Sequence, residues 1–584
     1  MVMNNLIKSI LLSAFVLSST LVLAQRDTTN TGAIDTERLI IVKPYSPTVS
    51  DAVKPKQHPQ KETGEVLERQ PVSYNIFSVP VASTFKPEKG KASSLQQIKA
   101  PDLYDTYIAL GLGNYFNAFA EVYSTIALND WQNMTIGLDH HSSQGGIGDL
   151  RYGKKDKFYD TKLSVGFNGE EEYFFWGVNI GLLHQHYNWY GAFDDWKNLD
   201  YSSLPYGDME ALKPKHNYTG VFLDGDLNFK DMVFDKVGLH YHHFGDDFHG
   251  SENHIKINPK LVFPVMDENI SVDIFGDYLS GSFGRAIKNE KGYSWLTAGI
   301  SPSYNYDYDI FSFNLGVNVV YSNDSKFKRD DVYIYPKVKA SLDVAGDYFK
   351  LYGGVEGDLE QNNYHQLAQQ NPYLSPDLLI APTNTQYNAF FGVKGKLVEG
   401  FHYDIRGNYQ SQKDKALFTA NPGAITRFDA STDGPKWNRF DSFSVIYDNI
   451  KTFSLHGGLE YTYNNDFSMS LKADYHDYDS EYMEKAWNLP KLEAAFTTDY
   501  RISDHWGIGA DFFYVGKRYD FLNTLTERVS VDDYFDANFR LTYKLNDYIG
   551  FFAKGHNILN QKYQRWYGYD VQQAQILVGL EVQF

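Results

Sequence analysis

From about Leu103 to its last residue the chain repeats one pattern, in which apolar and polar side chains alternate over runs of roughly ten residues. The final run is the clearest. Ile576, Val578, Leu580, Val582 and Phe584 share one face, while Leu577, Gly579, Glu581 and Gln583 share the other. Further back, Phe535, Ala537, Phe539, Leu541 and Tyr543 alternate with Asp536, Asn538, Arg540, Thr542 and Lys544. Phe467, Met469, Leu471, Ala473 and Tyr475 alternate in the same way with Ser468, Ser470, Lys472, Asp474 and His476. Successive side chains of a strand point to opposite faces, so each run predicts a strand with one apolar and one polar side.

Alternation of this kind also suits a secreted β-sandwich, β-propeller or β-solenoid. Three features favour a transmembrane β-barrel instead. The apolar face often begins or ends with Trp, Tyr or Phe, as an interfacial girdle requires. The opposite face carries isolated Lys, Arg, Asp and His, which a dry core would reject. Short turns alternate with longer loops, as between the two ends of a bacterial barrel.

The short turns fall near Asn129-Asp130, Gly169-Glu170, Lys230-Asp231, Asp267-Glu268, Asp307-Tyr308, Gly346-Asp347, Glu399-Gly400, Asn465-Asp466, Ser503-Asp504 and Asn546-Asp547. Longer stretches lie between them, at 190–213, 243–252, 362–384, 412–437, 480–488, 518–531 and 559–573. With a first strand after Leu103 and a last ending at Phe584, the expectation is an all-β, antiparallel barrel of about 22 strands, an even number that puts both ends on the periplasmic side. This count reads 439–464 as one long strand.

Composition agrees. Tyr, Phe and Trp make up 16% of the 584 residues, and such rings suit a pleated surface better than long helices. Mean hydropathy is negative, and after residue 24 no apolar run reaches the length of about 18 residues that a membrane helix needs. The net charge of −19 argues against nucleic acid as a partner, since phosphate binding is driven by Lys and Arg. There is no Cys, which removes disulfides, thiolate metal sites and thiol nucleophiles.

The N-terminus reads as a signal peptide over residues 1–24, with Lys8, an apolar stretch from Ile10 to Leu23, and small residues before Gln25. An uncleaved anchor is the alternative. Residues 25–101 are rich in Pro, Lys, Gln and Thr and read as an extended periplasmic segment, with the barrel spanning 102–584.

The strand count, the long loops, the ending "FDANFRLTYKLNDYIGFFAKGHNILNQKYQRW…ILVGLEVQF" and the terminal Phe584 resemble the barrel of TonB-dependent outer-membrane receptors. The segments "KPYSPTVSDA", "SVPVASTF" and "LGLGNYFNAFAEVY" resemble a plug-poor group of such barrels found in Bacteroidetes. The resemblance covers roughly residues 37 to 584 as a pattern rather than a signature. It implies an outer-membrane transporter or channel-like receptor. The departure is the short stretch before the barrel, where the family carries a folded plug. A lumen of this width needs filling, so the expectation is closure by the N-terminal segment, by infolded loops or by another envelope protein. Glu37 to Val42, "ERLIIV", is either a strand offered to an energy-coupling protein or a strap on the barrel's own periplasmic mouth.

Other chemistry is sparse. His140, His141, His184, His186, His240, His242, His243 and His249 invite a metal reading, but parity points His184 and His186 outward and His240 and His242 inward, so no metal or cofactor site is assigned. The acidic stretches 245–253 and 477–485 lack calcium-loop spacing and read as solvated loops in contact with lipopolysaccharide. Aromatic loops are better candidates for docking a ligand or partner: Trp189, Tyr190 and Trp196 in one, Arg565, Trp566 and Tyr567 in another. Val578, Leu580, Val582 and Phe584 are the expected signal for the barrel-assembly machinery. No catalytic arrangement emerges, and the reading is of a non-enzyme. A structural or assembly component of an outer-membrane complex is the rival to a transporter.

Overall fold

The alternating runs become strands. In chain order they are β1 (Thr106–Gly113), β2 (Ala118–Asn129), β3 (Gln132–Gln144), β4 (Lys157–Glu170), β5 (Phe174–Asn188), β6 (Lys215–Phe229), β7 (Phe234–Asp246) and β8 (Ser251–Val265). There follow β9 (Glu268–Ser282), β10 (Gly292–Tyr308), β11 (Phe311–Asp324), β12 (Arg329–Asp343), β13 (Lys350–Glu360), β14 (Thr383–Val398), β15 (Phe401–Ala420) and β16 (Phe443–Tyr463). The rest are β17 (Phe467–Ser480), β18 (Leu492–Arg501), β19 (Trp506–Val515), the hairpin β20 (Arg518–Leu522) with β21 (Glu527–Val531), β22 (Tyr534–Lys544), β23 (Ile549–His556), the short pair β24 (Gln564–Trp566) with β25 (Tyr569–Asp570), and β26 (Gln575–Gln583). One helix, α1 (Tyr364–Gln370), lies between β13 and β14.

This computed structural model describes residues 104–584 except 149, 151–154, 192–214, 231, 266–267, 285–291, 422–441, 465 and 523–526. The expected signal peptide (1–24), the extended segment (25–101), the stretch 37–42 and Trp196 lie outside the described residues.

Twenty-two strands form one antiparallel sheet, and β1 pairs with β26 to close it. At the seam the Phe584 N–H donates to the Thr106 carbonyl at 2.9 Å, and the Thr106 N–H returns the bond to the Phe584 carbonyl at 2.8 Å. The stretch read as one long strand is one strand, β16, of 21 residues. Short turns gather at one end of the barrel and longer connections at the other, and both chain ends of the sheet lie at the short-turn end.

The parity holds as well. Ile576, Val578, Leu580 and Phe584 are exposed on the outside, whereas Leu577 faces the lumen and is buried. Inward charges are paired around the wall. Lys337 Nζ lies 2.9 Å from Asp273, Lys339 Nζ lies 2.6 Å from Glu356, and the Arg540 guanidinium joins Asp499 and Asp511. Such pairs let a wet lumen wall carry charge.

Loop and turn bounds need correction, among them the stretch 412–437, of which 412–420 continue β15. Residues 243–252 are not a long loop: only Asp247–Gly250 separate β7 from β8. The Asp246 carboxylate accepts the N–H groups of Phe248 and Gly250, both at 2.8 Å, and His249 adopts φ 66°, which closes the connection tightly. The turn expected at Asp307-Tyr308 sits two residues on, at Asp309-Ile310, since Tyr308 still pairs with Phe311 and Asp309 takes φ 49°. Likewise Gly169 and Glu170 belong to β4, paired with Trp176 and Phe175, and the turn follows them.

Candidate functional site

Among the described residues the largest apolar cluster gathers at the long-loop end of the barrel, around the connection between β13 and β14. Its short helix α1 starts at Asn363, whose side chain accepts the Gln366 N–H at 2.7 Å. Tyr364, Leu367 and Ala368 recur at the spacing of one helix face, and all three are buried.

Two carboxylates from the wall hold this helix. Glu252 on β8 is buried and accepts the Tyr364 N–H at 2.6 Å, the His365 N–H at 3.1 Å and the Tyr293 hydroxyl at 2.5 Å, with His242 Nε2 at 3.3 Å. Asp246 on β7 accepts the Tyr364 hydroxyl at 2.5 Å and stands 3.3 Å from His216 Nε2. A helix N-terminus leaves backbone N–H groups unpaired, and here a charged acceptor supplies two of them. Burying a charge so deeply requires this many donors.

His365 packs with its ring centroid 4.8 Å from that of Phe244 and 4.9 Å from that of His242. Burial, reinforced by the nearby His242, pushes its imidazole down to about 3, so it is neutral near pH 7.

The rest of the connection is fastened around the rim. Gln369 and Gln185 exchange amide hydrogen bonds at 2.7 and 3.2 Å. Trp189 Nε1 and the Tyr218 hydroxyl both donate to the Pro372 carbonyl, at 3.3 and 3.1 Å. Trp295 Nε1 donates to the Ile380 carbonyl at 3.0 Å, and Ser375 Oγ donates to the Phe443 carbonyl at 3.1 Å. The Tyr373 ring stacks on Tyr569 at 3.6 Å. Anchors on β5, β6, β8, β10, β16 and the β24–β25 pair therefore hold residues 361–382 across the mouth as a lid.

Of the aromatic residues singled out in the sequence, the described ones, Trp189, Tyr190, Trp566 and Tyr567, converge on this lid. Trp189, Trp566 and Tyr567 are buried in the cluster. Tyr190 packs against it, and its hydroxyl donates to the Asp570 carbonyl at 2.9 Å. Arg565 offers its backbone carbonyl to the Arg518 guanidinium. Behind them the β20–β21 hairpin is tied in by Asp520, which accepts the Ala420 N–H at 3.0 Å; burial pushes its carboxyl up to about 6.

The histidines do not assemble into a metal centre: among the described residues no group of three or more His, Asp or Glu is arranged to hold an ion. His184 faces outward and meets the Tyr159 hydroxyl at 3.0 Å, while inward His240 pairs with Asp224 at 2.8 Å and His254 with Asp277 at 2.7 Å. Sequence reasoning missed the lid and its two carboxylates. Asp246 and Glu252 sit in an acidic stretch that reads as a solvated loop, and nothing local announces their partners.

No family model matches the chain, and no curated protein matches it. Solved structures do. The FrpB iron transporter from Neisseria meningitidis (F3-3 variant) aligns with a TM-score of 0.62 at 9% identity, covering 82% of this chain and 81% of that one. The ferric-catecholate import receptor Fiu from K12 E. coli gives 0.59 at 10% identity over 83% and 82% of the two chains. The copper transporter OprC gives 0.56 at 12% identity, again over 83% and 82%. The chain has the fold of these receptors and transporters, an all-β closed barrel of 22 antiparallel strands.

Proposed function

We propose that this protein is an outer-membrane transporter of the TonB-dependent type, in which residues 361–382 form a lid over the outer mouth. The observation that carries the reading is the lid itself: a wide receptor-type barrel whose loop folds inward and is held by buried carboxylates. In this reading the lid does part of the closing that a plug domain does in the family. Trp189, Tyr190, Arg565, Trp566 and Tyr567 belong to the layer that a ligand must part or reorganise to enter. Assembly machinery, outer-membrane lipid and lipopolysaccharide are its expected partners, with an energy-coupling or lumen-filling envelope protein below.

The neighbours in fold carry iron or copper, so chelated iron and copper are the first cargoes to try. Cells lacking the gene should take up one of them more slowly, and the purified chain without residues 361–382 should conduct in planar bilayers. No uptake defect together with no conductance would sink the transporter reading. A scaffold for envelope partners is the alternative reading. Recovery of stoichiometric envelope partners in a native pull-down, without an uptake defect, would support it.

A further inference from the structure

The barrel wall is not equally tall all round. β15 and β16 run for 20 and 21 residues, whereas the neighbours β23, β26 and β1 at the closing seam run for 8, 9 and 8. A tilted membrane strand needs about 9–11 residues to cross the apolar layer. The outer turns of the seam therefore begin where that layer has scarcely ended.

Side-chain character does not change there either. The lipid-facing row continues upward into Leu112 and Ile576, which are 70% and 63% exposed, and then into Phe116 of the β1–β2 turn, which is 84% exposed. Residues 110–118 and 574–580 contain no charged side chain. The turn is bonded to the last strand, with the Asn114 N–H donating to the Ile576 carbonyl at 3.1 Å and Asn114 Oδ1 accepting the Ile576 N–H at 2.8 Å.

The loop after β23 folds over the same outer surface. The Ile558 N–H donates to the Ala537 carbonyl at 2.9 Å, and Ile558 Cγ2 lies 2.8 Å from where a Cβ on Gly555 would stand. Gly555 pairs with Phe539 and Ile576, both on the lipid side. Ala537 also has lipid-side parity, yet it is fully buried between the exposed Phe535 and Phe539. Ile558 and Leu559 themselves remain exposed.

We propose that the outer turns of the seam, 114–117 and 558–559, are immersed in the acyl-chain layer of the outer leaflet, so that this side of the barrel is a lipid-binding face around which the bilayer thins. Acyl chains are the occupant because the patch is continuous with the lipid-facing band and carries no charge with which to select a protein. The proposal rests on the transmembrane reading of the fold, and a separate reference site tests that reading.

The absence of cysteine makes the experiment direct. A nitroxide is attached to Phe116→Cys in the full chain in lipid bilayers, and its collisions with oxygen and with a water-soluble nickel chelate are measured by EPR. Val578→Cys serves as the lipid reference and Tyr482→Cys as the water reference, while Leu559→Cys replaces Phe116→Cys should that variant fail to fold. The oxygen-to-nickel ratio at Phe116→Cys should match Val578→Cys and exceed Tyr482→Cys several-fold. A ratio matching Tyr482→Cys overturns the proposal, as does protection from both reagents, which would mean a protein covers the patch. Should Val578→Cys itself behave as a water site, the transmembrane reading fails first.

Discussion

Glu252 accepts the backbone N–H of Tyr364 at 2.6 Å across 112 residues of chain, joining the barrel wall to the first turn of the lid helix. Tyr364 returns a second link to the wall through its hydroxyl, donated to Asp246.

Replacing Glu252 by Ala should free the lid without unfolding the barrel. Each buried donor left unpaired costs about 1–3 kcal/mol, and the carboxylate serves Tyr364, His365 and Tyr293 together. Hydrogen exchange at the Tyr364 and His365 amides should accelerate strongly in Glu252→Ala and less in Glu252→Gln. Unchanged exchange would show that the lid is held without this carboxylate.

The lid should loosen in acid. His365 has its folded pKa lowered to about 3 from an ordinary value of 6.5, so the folded state binds fewer protons than the unfolded one. Its contribution is complete above pH 6.5 and is lost as pH falls toward 3. The groups that face it are His242, His254, Lys162 and Glu252. Between pH 6.5 and 5 the loss is about 2 kcal/mol. Exchange of α1 amides, corrected for intrinsic rates, should rise over that range and stay flatter in His365→Phe.

Asp520 predicts the opposite slope for the β20–β21 hairpin. Its folded pKa is raised to about 6 from 3.8, so the folded state holds the proton more tightly. Attachment is strongest below pH 4, weakens as pH rises through 6 and is then constant, a change of about 3 kcal/mol. Asp520→Asn should remove this dependence in hairpin exchange measurements, and an undiminished slope in that variant would assign it to another group.

Deleting Phe584, or replacing it with Asp, should lower the amount of folded barrel in the membrane. The residue closes the seam through its paired bonds with Thr106 and presents an exposed ring at the end of the outward row. The readout is the heat-modifiable band on a gel, and wild-type intensity would count against the idea.

The barrel was legible because an apolar outer face and a polar lumen face write opposite chemistry on alternate residues, as in Phe539 beside Arg540. The lid was not. Helix α1 has seven residues, so Tyr364, Leu367 and Ala368 are too few to establish a helical period. Glu252 and Asp246 looked like solvated acids because their partners come from distant segments, Tyr293, Tyr364 and His216 among them. The aromatic residues around 189 and 566 stood out as docking candidates, but composition could not tell a ring that faces solvent from one that packs under a lid. Turn positions slipped where polar residues such as Asp307 continued a strand that alternation alone could not end.

Lys256 stands on the inward face of β8, four residues toward the membrane from Glu252. In a Lys256→Cys variant, the rate of labelling from outside intact cells by a membrane-impermeant, polymer-linked maleimide reads whether the lid covers the lumen. Labelling should be slow with the lid intact and at least about ten-fold faster when Glu252→Ala is added, as a loss of more than about 1.4 kcal/mol of lid stability requires. Equal, rapid labelling in both backgrounds would mean that residues 361–382 do not close this barrel.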